Sequence, residues 1–362
     1  MQNSKILLIG FGMIGQAIHS ILKMNGYHNI FVLDSRAKPT GIESKAFHEV
    51  DVADAERTAR VCSDKDIVIS ALPFYMNSTI VDITSELKKP YFDLTEDLSV
   101  SKYVEGVAKD STSFFMPHCG LAPGAINVIG NRIASHFKEL RNLELRVGAL
   151  PLNASNEMKY YLSWSTSGLL NEYIEDCEII WHGRKIKVPA LDGLQEIIID
   201  GIKYECFNTS GGLGTLADSL AGKVKNLSYK TVRYPGHRDN IKFLLDDLFL
   251  RENRELLTTI FDQGVPINMN DVVIVYVSGV GIDLDGRLSR SSYSKKIYPQ
   301  NGLSAIQIAT ASGLVSMVNL YVAGKLPKTG LMRQEDVGFD EFVEGPGAIF
   351  AESICREYTC LD

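Results

Sequence analysis

The segment Gly10-Phe11-Gly12-Met13-Ile14-Gly15 constrains the fold most, because it joins a short apolar run to a stretch with helical spacing. Residues 5–9 before it predict a buried strand, and residues 12–24 predict an amphipathic helix. In a G-x-G-x-x-G turn the glycines allow a tight turn, close approach of a pyrophosphate, and close packing of helix on strand. The free N–H groups of the following helix attract phosphate. The segment therefore predicts a dinucleotide-binding turn.

The type of dinucleotide is predicted from Asp34, which ends a second apolar run nineteen residues after Gly15. A carboxylate at this place accepts hydrogen bonds from the adenosine ribose and repels a 2′-phosphate, so Asp34 favours NAD over NADP. The adjacent Ser35 is a further candidate for cofactor contact. Arg36 would have the opposite effect if it accommodated the extra phosphate.

Two further segments are candidates for cofactor contact. Asp51, after a third apolar run, either faces the adenine or caps the helix that follows. Ala71-Leu72-Pro73 ends a fourth run at the edge where ligands bind to open α/β sheets, so it should shape the nicotinamide pocket.

Strand-like and helix-like segments alternate over the first third of the chain. The fold class expected from this alternation is α/β, a Rossmann-type doubly wound parallel sheet. After Gly124 most segments are strand-like, with few helices between them, which predicts a second α+β domain with a mixed, largely antiparallel sheet. Residues 272–280 and 287–298 should pair as a hairpin through Asp285-Gly286. We expect a dinucleotide-binding domain over 1–123, joined by 303–362, and a substrate-binding and oligomerisation domain over 124–302.

Composition excludes several classes of protein. The net charge of −7 argues against a nucleic-acid partner, and no apolar run approaches the length of a membrane span. The first residues lack the basic start of a signal peptide, so we expect a cytoplasmic protein. The six cysteines are far apart and no histidine cluster has ligand spacing, so neither a disulfide framework nor a catalytic metal is expected.

The chain resembles the saccharopine dehydrogenase-like family, and most closely its lysine 6-dehydrogenase branch. The segments that carry the resemblance extend over nearly the whole chain: ALPFYMN (71–77), GLAPG (120–124), SWSTSGLLNEY (163–173), FNTSGG (207–212), YKTVRYPGH (229–237) and MRQEDV (332–337). The resemblance implies a Rossmann domain, a mixed-sheet domain, and oxidation of a C–N bond in a lysine-like amino acid with hydride transfer to a nicotinamide.

Two departures from the saccharopine reductase pattern bear on the substrate. Ala122 stands where those enzymes usually carry an aspartate, and Thr209-Ser210 stands where they have an arginine–aspartate pair. Because both positions touch the two-headed substrate in that family, their loss favours a smaller amine with one amino-acid head. His118 stands where the lysine 6-dehydrogenase branch tends to have an acid.

The candidate substrate residues lie in the second region. Arg233 ends a strand-like stretch, and its planar guanidinium could bind a substrate α-carboxylate through two hydrogen bonds. His237 either contacts the same ligand or is a structural histidine. Trp164 and Ser165 are candidates for the pocket wall, and Thr209 and Ser210 for substrate contact.

Amine oxidation also needs a group that accepts a proton and activates water. His118 and Glu96 follow strands that should end near the nicotinamide, and Asp93, Asp97 and water are alternatives. We expect an amino-acid substrate and a homodimer. The competing functions are a secondary-amine reductase of the saccharopine or carboxynorspermidine dehydrogenase type, and a dinucleotide sensor without catalysis.

Overall fold

The computed structural model describes residues 3–352 and 354–358, which divide into two compact units. Its strands are β1 (Ile6–Ile9), β2 (Ile30–Asp34), β3 (Phe47–Glu49), β4 (Ile67–Ser70), β5 (Tyr91–Phe92), β6 (Phe114–Met116), β7 (Phe137–Pro151), β8 (Cys177–Trp181), β9 (Arg184–Val188), β10 (Gln195–Ile199), β11 (Ile202–Asn208), β12 (Val224–Arg233), β13 (Asp271–Asp283), β14 (Leu288–Ile297), β15 (Gly330–Leu331) and β16 (Cys355–Tyr358).

The α-helices vary from a single turn to eighteen residues. They are α1 (Met13–Met24), α2 (Ala55–Ser63), α3 (Asn77–Glu86), α4 (Leu98–Asp110), α5 (Ala125–Ala134), α6 (Thr166–Ile174), α7 (Leu216–Ser219), α8 (His237–Lys242), α9 (Arg254–Gly264), α10 (Ala305–Val322) and α11 (Phe339–Phe342).

The first unit contains Met1–Ala125 and Ala309–Ala351, and its centre is a parallel sheet. Among the described residues the sheet has seven strands in the order β15-β6-β5-β4-β1-β2-β3. The part β3-β2-β1-β4-β5-β6 is the Rossmann order, in which the direction of winding reverses between β1 and β4. β1 and β4 are buried at every residue, as expected of central parallel strands. The predicted α/β fold class is confirmed.

The second unit contains Ile126–Ile308 and Glu352–Asp362, of which the last residues and Ser353 lie outside the described part. Its sheet follows the order β10-β11-β12-β7-β13-β14-β16, with β8 and β9 beside β12. The β7–β12 pair is parallel and the other pairs are antiparallel. This confirms the mixed sheet, and the hairpin of β13 and β14 turns at Gly286, whose φ is +84°.

Three details of the sequence prediction are wrong. The second region is not poor in helices, since α5 to α9 all lie in it. Strand β7 begins at Phe137 and not at Leu143, because the segment 137–142 also pairs with β13 although most of its residues are polar and several are exposed. The terminal segment 303–362 does not belong entirely to the first unit, because β16 pairs with β14 in the second sheet.

Helix α10 was expected to join the first domain, and the division between the units falls inside it, after Ile308. Its length and mean hydropathy of 1.4 would also suit a membrane span, but 78% of its residues are buried. Burial of this kind is typical of a core helix.

Candidate functional site

The glycine turn leaves an open space at the N-terminus of α1. Gly10 has a φ of +90°, and a Cβ atom there would lie 2.8 Å from the Ala71 carbonyl oxygen. A Cβ at Gly15 would lie 2.1 Å from the Gly10 carbonyl oxygen, so both positions require glycine. Gly12 has no atom within 4 Å of its ideal Cβ position. Contacts within the described protein therefore do not require a glycine at position 12.

The helix that starts here offers its N–H groups to a ligand. Gly12 is the N-cap of α1 and supplies no side-chain cap, and the first turn of the helix, from Met13 and Ile14 onward, contains no acidic residue. A helix N-terminus that has no side-chain cap, together with the positive end of the helix dipole, is suited to bind an anion. Open space together with these donors fits the pyrophosphate of a dinucleotide.

Asp34 lies next to this turn, with its carboxylate already hydrogen-bonded. Phe11 N–H donates to its Oδ2 at 2.7 Å, and the Arg36 guanidinium donates to both oxygens at 2.8 Å. Burial alone would raise the pKa of Asp34, but these hydrogen bonds from Arg36 and Phe11 outweigh it and lower the pKa to about 2. Arg36 is 66% exposed, so it can leave Asp34 at little cost in packing. Asp34 and Arg36 are thus positioned together where an adenosine ribose would be recognised.

The other cofactor candidates have different surroundings. Ala71 N–H donates to the Ile9 carbonyl oxygen, which brings the end of β4 beside the glycine turn, and Pro73 caps a short 3-10 helix. Ser35 is exposed. Asp51 is exposed and accepts from Ala53 N–H, and the cap of α2 is Asp54, so the capping alternative for Asp51 is wrong.

A buried polar network occupies the carboxyl ends of β4, β5 and β6. Asp93, fully buried, accepts from Tyr91 Oη–H at 2.7 Å, from Asn77 Nδ2 at 3.4 Å, and from the N–H groups of Thr95 and His118 at 3.0 Å. Ser70 Oγ–H donates to the Asn77 side-chain oxygen at 2.7 Å. Sequence analysis did not find this network. Its only local signal is that Tyr91 and Asp93, two residues apart in an extended segment, share a face.

The catalytic candidate His118 is held by this network. Its Nδ1 lies 2.6 Å from the Thr95 carbonyl oxygen, and its φ is +64°. The side chain is 1% exposed, and Nε2 is buried with no hydrogen-bond partner in the described residues. A carbonyl oxygen only accepts, so Nδ1 carries a proton, and Nε2 can act as an acceptor whenever it carries none.

The second catalytic candidate, Glu96, follows Thr95 directly and is half-buried. Burial raises the pKa of Glu96 to about 7, and the negative charges of Asp97 and Asp93 add to the shift. A carboxyl group that titrates near neutral pH is suited to proton transfer. Asp97, an alternative, accepts from the N–H groups of Ser99 and Val100 as the cap of α4.

Arg233 is the central polar residue of the second unit. It ends β12, is 3% exposed, and lies over the rings of Tyr160 and Tyr173 at 5.0 and 6.0 Å. Its Nε–H donates to Tyr173 Oη at 3.0 Å and one Nη1–H donates to the Val232 carbonyl oxygen at 3.0 Å. It forms no ion pair with a carboxylate of the described chain.

His237 supports Arg233 through Tyr173. Its Nδ1 lies 2.7 Å from the Met158 carbonyl oxygen, and its Nε2 lies 3.0 Å from Tyr173 Oη. Burial, and then the charge of Arg233, lower the pKa of His237 to about 3, so the ring is neutral. Nδ1–H therefore donates to Met158, and Tyr173 Oη–H donates to Nε2. Both ring nitrogens are used inside the protein, which matches the structural alternative for His237.

The remaining substrate candidates make hydrogen bonds within the second unit. Trp164 Nε1–H donates to Tyr160 Oη at 3.2 Å, and Ser165 is the exposed N-cap of α6. Thr209 Oγ1 pairs with Thr231 Oγ1 at 2.7 Å, and Ser210 Oγ–H donates to the Asp176 carbonyl oxygen at 3.0 Å. Thr209 and Ser210 are buried.

Within the described residues no group of three metal-ligating side chains occurs. The five cysteines described (Cys62, Cys119, Cys177, Cys206 and Cys355) are free thiols, and Cys360 lies outside the described part.

Comparison with known proteins places both units in one family. Residues 6–114 match the saccharopine dehydrogenase NADP binding domain, and residues 120–345 match the saccharopine dehydrogenase C-terminal domain. The chain therefore belongs to the saccharopine dehydrogenase family, and the family resemblance is confirmed.

Individual relatives are distant. The chain is 24% identical over 299 residues to saccharopine dehydrogenase [NADP(+), L-glutamate-forming] of Saccharomyces cerevisiae, covering 75% of this chain and 63% of that protein. It is 21% identical over 266 residues to the protein of the same name from Schizosaccharomyces pombe, covering 69% of this chain and 59% of that protein. The matches thus span about three fifths of the length of these curated relatives.

Two solved structures share the fold of the whole chain. Apo saccharopine dehydrogenase (L-Glu forming) from Saccharomyces cerevisiae matches with a TM-score of 0.75 at 16% identity, over 99% of this chain and 100% of that one. Homospermidine synthase from Legionella pneumophila, in complex with NAD, matches with a TM-score of 0.71 at 12% identity, over 99% and 92% of the two chains.

Proposed function

We propose that this chain is an NAD-dependent oxidoreductase that oxidises the C–N bond of a lysine-like amino acid to an imine, which water converts to the semialdehyde. The observation that carries the proposal is Arg233, a buried guanidinium that makes no salt bridge in the described residues, although the negative charge of nearby Glu172 acts on it. Because burial of a cation is costly and Arg233 keeps N–H groups that bind no carboxylate directly, the site favours an anionic ligand. The two N–H groups of Nη2 and one of Nη1 are left to bind a substrate α-carboxylate.

The proposed substrate has one amino-acid head. Saccharopine would bring further carboxylates, and Ala122, Thr209 and Ser210 offer them no charge. The hydroxyl groups of Thr209 and Ser210 are also already used within the second unit. Burying a carboxylate without a partner is costly, so these positions favour a substrate such as lysine.

His118 and Glu96 are the proposed proton-transfer groups. A bound nicotinamide dinucleotide would accept the hydride, while the protein must remove a proton and activate water. Nε2 of His118, which has no hydrogen-bond partner in the described residues, is an acceptor for a proton of the amine or of water, and burial raises the pKa of Glu96 to about 7.

The proposed preference for NAD depends on Asp34, and Arg36 provides its test. Arg36→Ala should leave Asp34 free to accept the ribose hydroxyls, so the Kd for NADH should stay the same or fall, and the Kd for NADPH should rise. Asp34→Ala should weaken NADH binding by about 10-fold or more and improve NADPH binding, since each charge-assisted hydrogen bond contributes about 1.5–3 kcal/mol. Fluorescence titration of both nucleotides checks the two variants. A wild-type protein that binds NADPH more tightly than NADH would assign Arg36 to the 2′-phosphate and contradict the NAD proposal.

The substrate proposal is tested with a panel of amines. Reduction of NAD and NADP is followed at 340 nm with lysine and saccharopine, and with related amines that lack one carboxylate. Lysine should give the highest kcat/KM. Faster turnover of saccharopine would favour a secondary-amine oxidoreductase, the class to which the curated relatives belong by name. Tight NADH binding without turnover of any amine would favour a sensor.

A further inference from the structure

His118 adopts a backbone conformation that a residue with a side chain rarely takes without support. Its φ of +64° lies in the left-handed region, which favours glycine. The strained conformation is held from both sides: the N–H of His118 donates to Asp93 Oδ1, and its ring Nδ1 contacts the Thr95 carbonyl oxygen. Strain of this kind persists where neighbouring contacts determine it, and it is concentrated at functional sites.

A single carboxylate oxygen organises these contacts. Asp93 Oδ1 accepts from the N–H groups of both Thr95 and His118, at 3.0 Å each. Asp93 therefore fixes the backbone of both residues. The carbonyl oxygen of Thr95 lies 2.6 Å from Nδ1 of the His118 imidazole. The other oxygen, Oδ2, is held by Tyr91 and Asn77, so all four neighbours are donors and the carboxylate accepts from each.

Asp93 forms no salt bridge with any side chain of the described residues. The group is fully buried, and burial raises its pKa. An apolar side chain at this position would avoid the cost of desolvation but would leave these four donors without a partner. The arrangement has one further result: a histidine whose Nδ1 is committed as donor and whose Nε2 is left without a hydrogen-bond partner in the described residues.

We propose that Asp93 is a positioning residue that holds the His118 imidazole in the Nδ1–H tautomer, with the Nε2 lone pair kept free for the reacting amine or water. The inference rests on the proposed function for the role of Nε2. The tautomer itself is independent of any substrate. Asp93 acts through Thr95 and the backbone of His118, and does not itself exchange a proton with substrate.

The direct test is the tautomer of His118, measured by ¹⁵N NMR of the histidine side chains in the full chain with and without NADH. The His118 signals are assigned by their loss in His118→Gln. The wild type should show a protonated Nδ1 and an unprotonated Nε2. Asp93→Ala should give a mixture of tautomers. Asp93→Asn keeps one oxygen for the two N–H groups, so it should retain most of the Nδ1–H form even if the alanine variant fails to fold.

The kinetic test separates positioning from stability. Asp93→Ala should lower kcat by about 100-fold, the lower part of the range for loss of general acid–base catalysis, with KM and NADH affinity within about 3-fold of wild type. Asp93→Asn should recover most of this loss. In the His118→Gln background, Asp93→Ala should cause no further loss of kcat, because both changes remove the same function.

Asp271→Ala is a matched control. Asp271 is a buried carboxylate of the second unit that also accepts from two backbone N–H groups, those of Ala305 and Ile306. Its loss should lower thermal stability without changing the His118 tautomer. An unchanged tautomer in Asp93→Ala would overturn the inference whatever the activity. A changed tautomer in a protein that oxidises no amine would support the positioning role and contradict the proposed function.

Discussion

Replacing Arg233 with alanine should lower kcat/KM for the amino-acid substrate by about 100-fold or more, mostly through KM. Truncation of one partner of a buried, hydrogen-bonded charge pair costs about 2–5 kcal/mol, and every 1.4 kcal/mol is about tenfold in affinity. The substrate carboxylate would lose the cation that lies over the rings of Tyr160 and Tyr173. The measurement is steady-state kinetics with lysine as the varied substrate.

Arg233→Lys sharpens this prediction, because it keeps the charge and loses the planar pair of donors. We expect an intermediate loss, about 10-fold in kcat/KM, since a lysine ammonium cannot reproduce bidentate binding. NADH affinity should stay near the wild-type value in both variants, because the residues of the glycine turn are unchanged. Unaltered kinetics in Arg233→Ala would show that the α-carboxylate is bound elsewhere and would remove the main support for the proposed function.

Tyr173 and His237 explain why Arg233 can serve this role. The chain of donors from Arg233 through Tyr173 and His237 to the Met158 carbonyl fixes the orientation of the guanidinium before any ligand binds. A pre-oriented side chain loses less conformational freedom on binding, so more of the interaction contributes to affinity. His237 is thus a support for Arg233, in line with the structural role that the sequence left open beside direct contact with substrate.

The first sheet could be predicted from sequence because each of its signals is local. The glycine turn, the apolar run before it and Asp34 lie within one strand–helix–strand unit, whose physics does not depend on distant residues. The hairpin of β13 and β14 could be predicted for the same reason, since the Asp285-Gly286 turn lies between two strand-like segments.

What sequence analysis missed depends on contacts between distant segments. Strand β16 has the composition Cys-Arg-Glu-Tyr, is exposed throughout, and exists through its pairing with β14. The short helices α6 and α9 begin at the side-chain caps of Ser165 and Asn253, and their apolar residues pack into a shared core cluster. Periodicity over nine to eleven residues gives only a weak signal for such helices.

In the candidate site, too, local features could be predicted from the sequence and features that depend on distant contacts could not. His118 and Glu96 could be named from their positions after strands, but the partners that define their chemistry could not. Asp93 reaches Asn77, Tyr91 and His118 only because β4, β5 and β6 end at one edge of the sheet. No spacing in the sequence encodes a free Nε2 or a raised pKa at Glu96, since both follow from burial.

Substitutions at two glycines of the turn, Gly12 and Gly15, should separate binding from folding. Gly12→Val should reduce NADH affinity by more than about 100-fold, because a side chain at this position would occupy the space where the pyrophosphate meets the helix N-terminus. Its thermal unfolding should change little, since no protein atom lies within 4 Å of the Cβ position.

Gly15→Ala is the matched variant: its Cβ would lie 2.1 Å from the Gly10 carbonyl oxygen, so this change should destabilise the first unit by about 2 kcal/mol or more. Calorimetric titration with NADH and thermal denaturation of both variants distinguish the two effects. If Gly12→Val bound NADH like the wild type, the pyrophosphate would have to lie away from this turn, and both the cofactor site and the role of Asp34 would have to be reassigned.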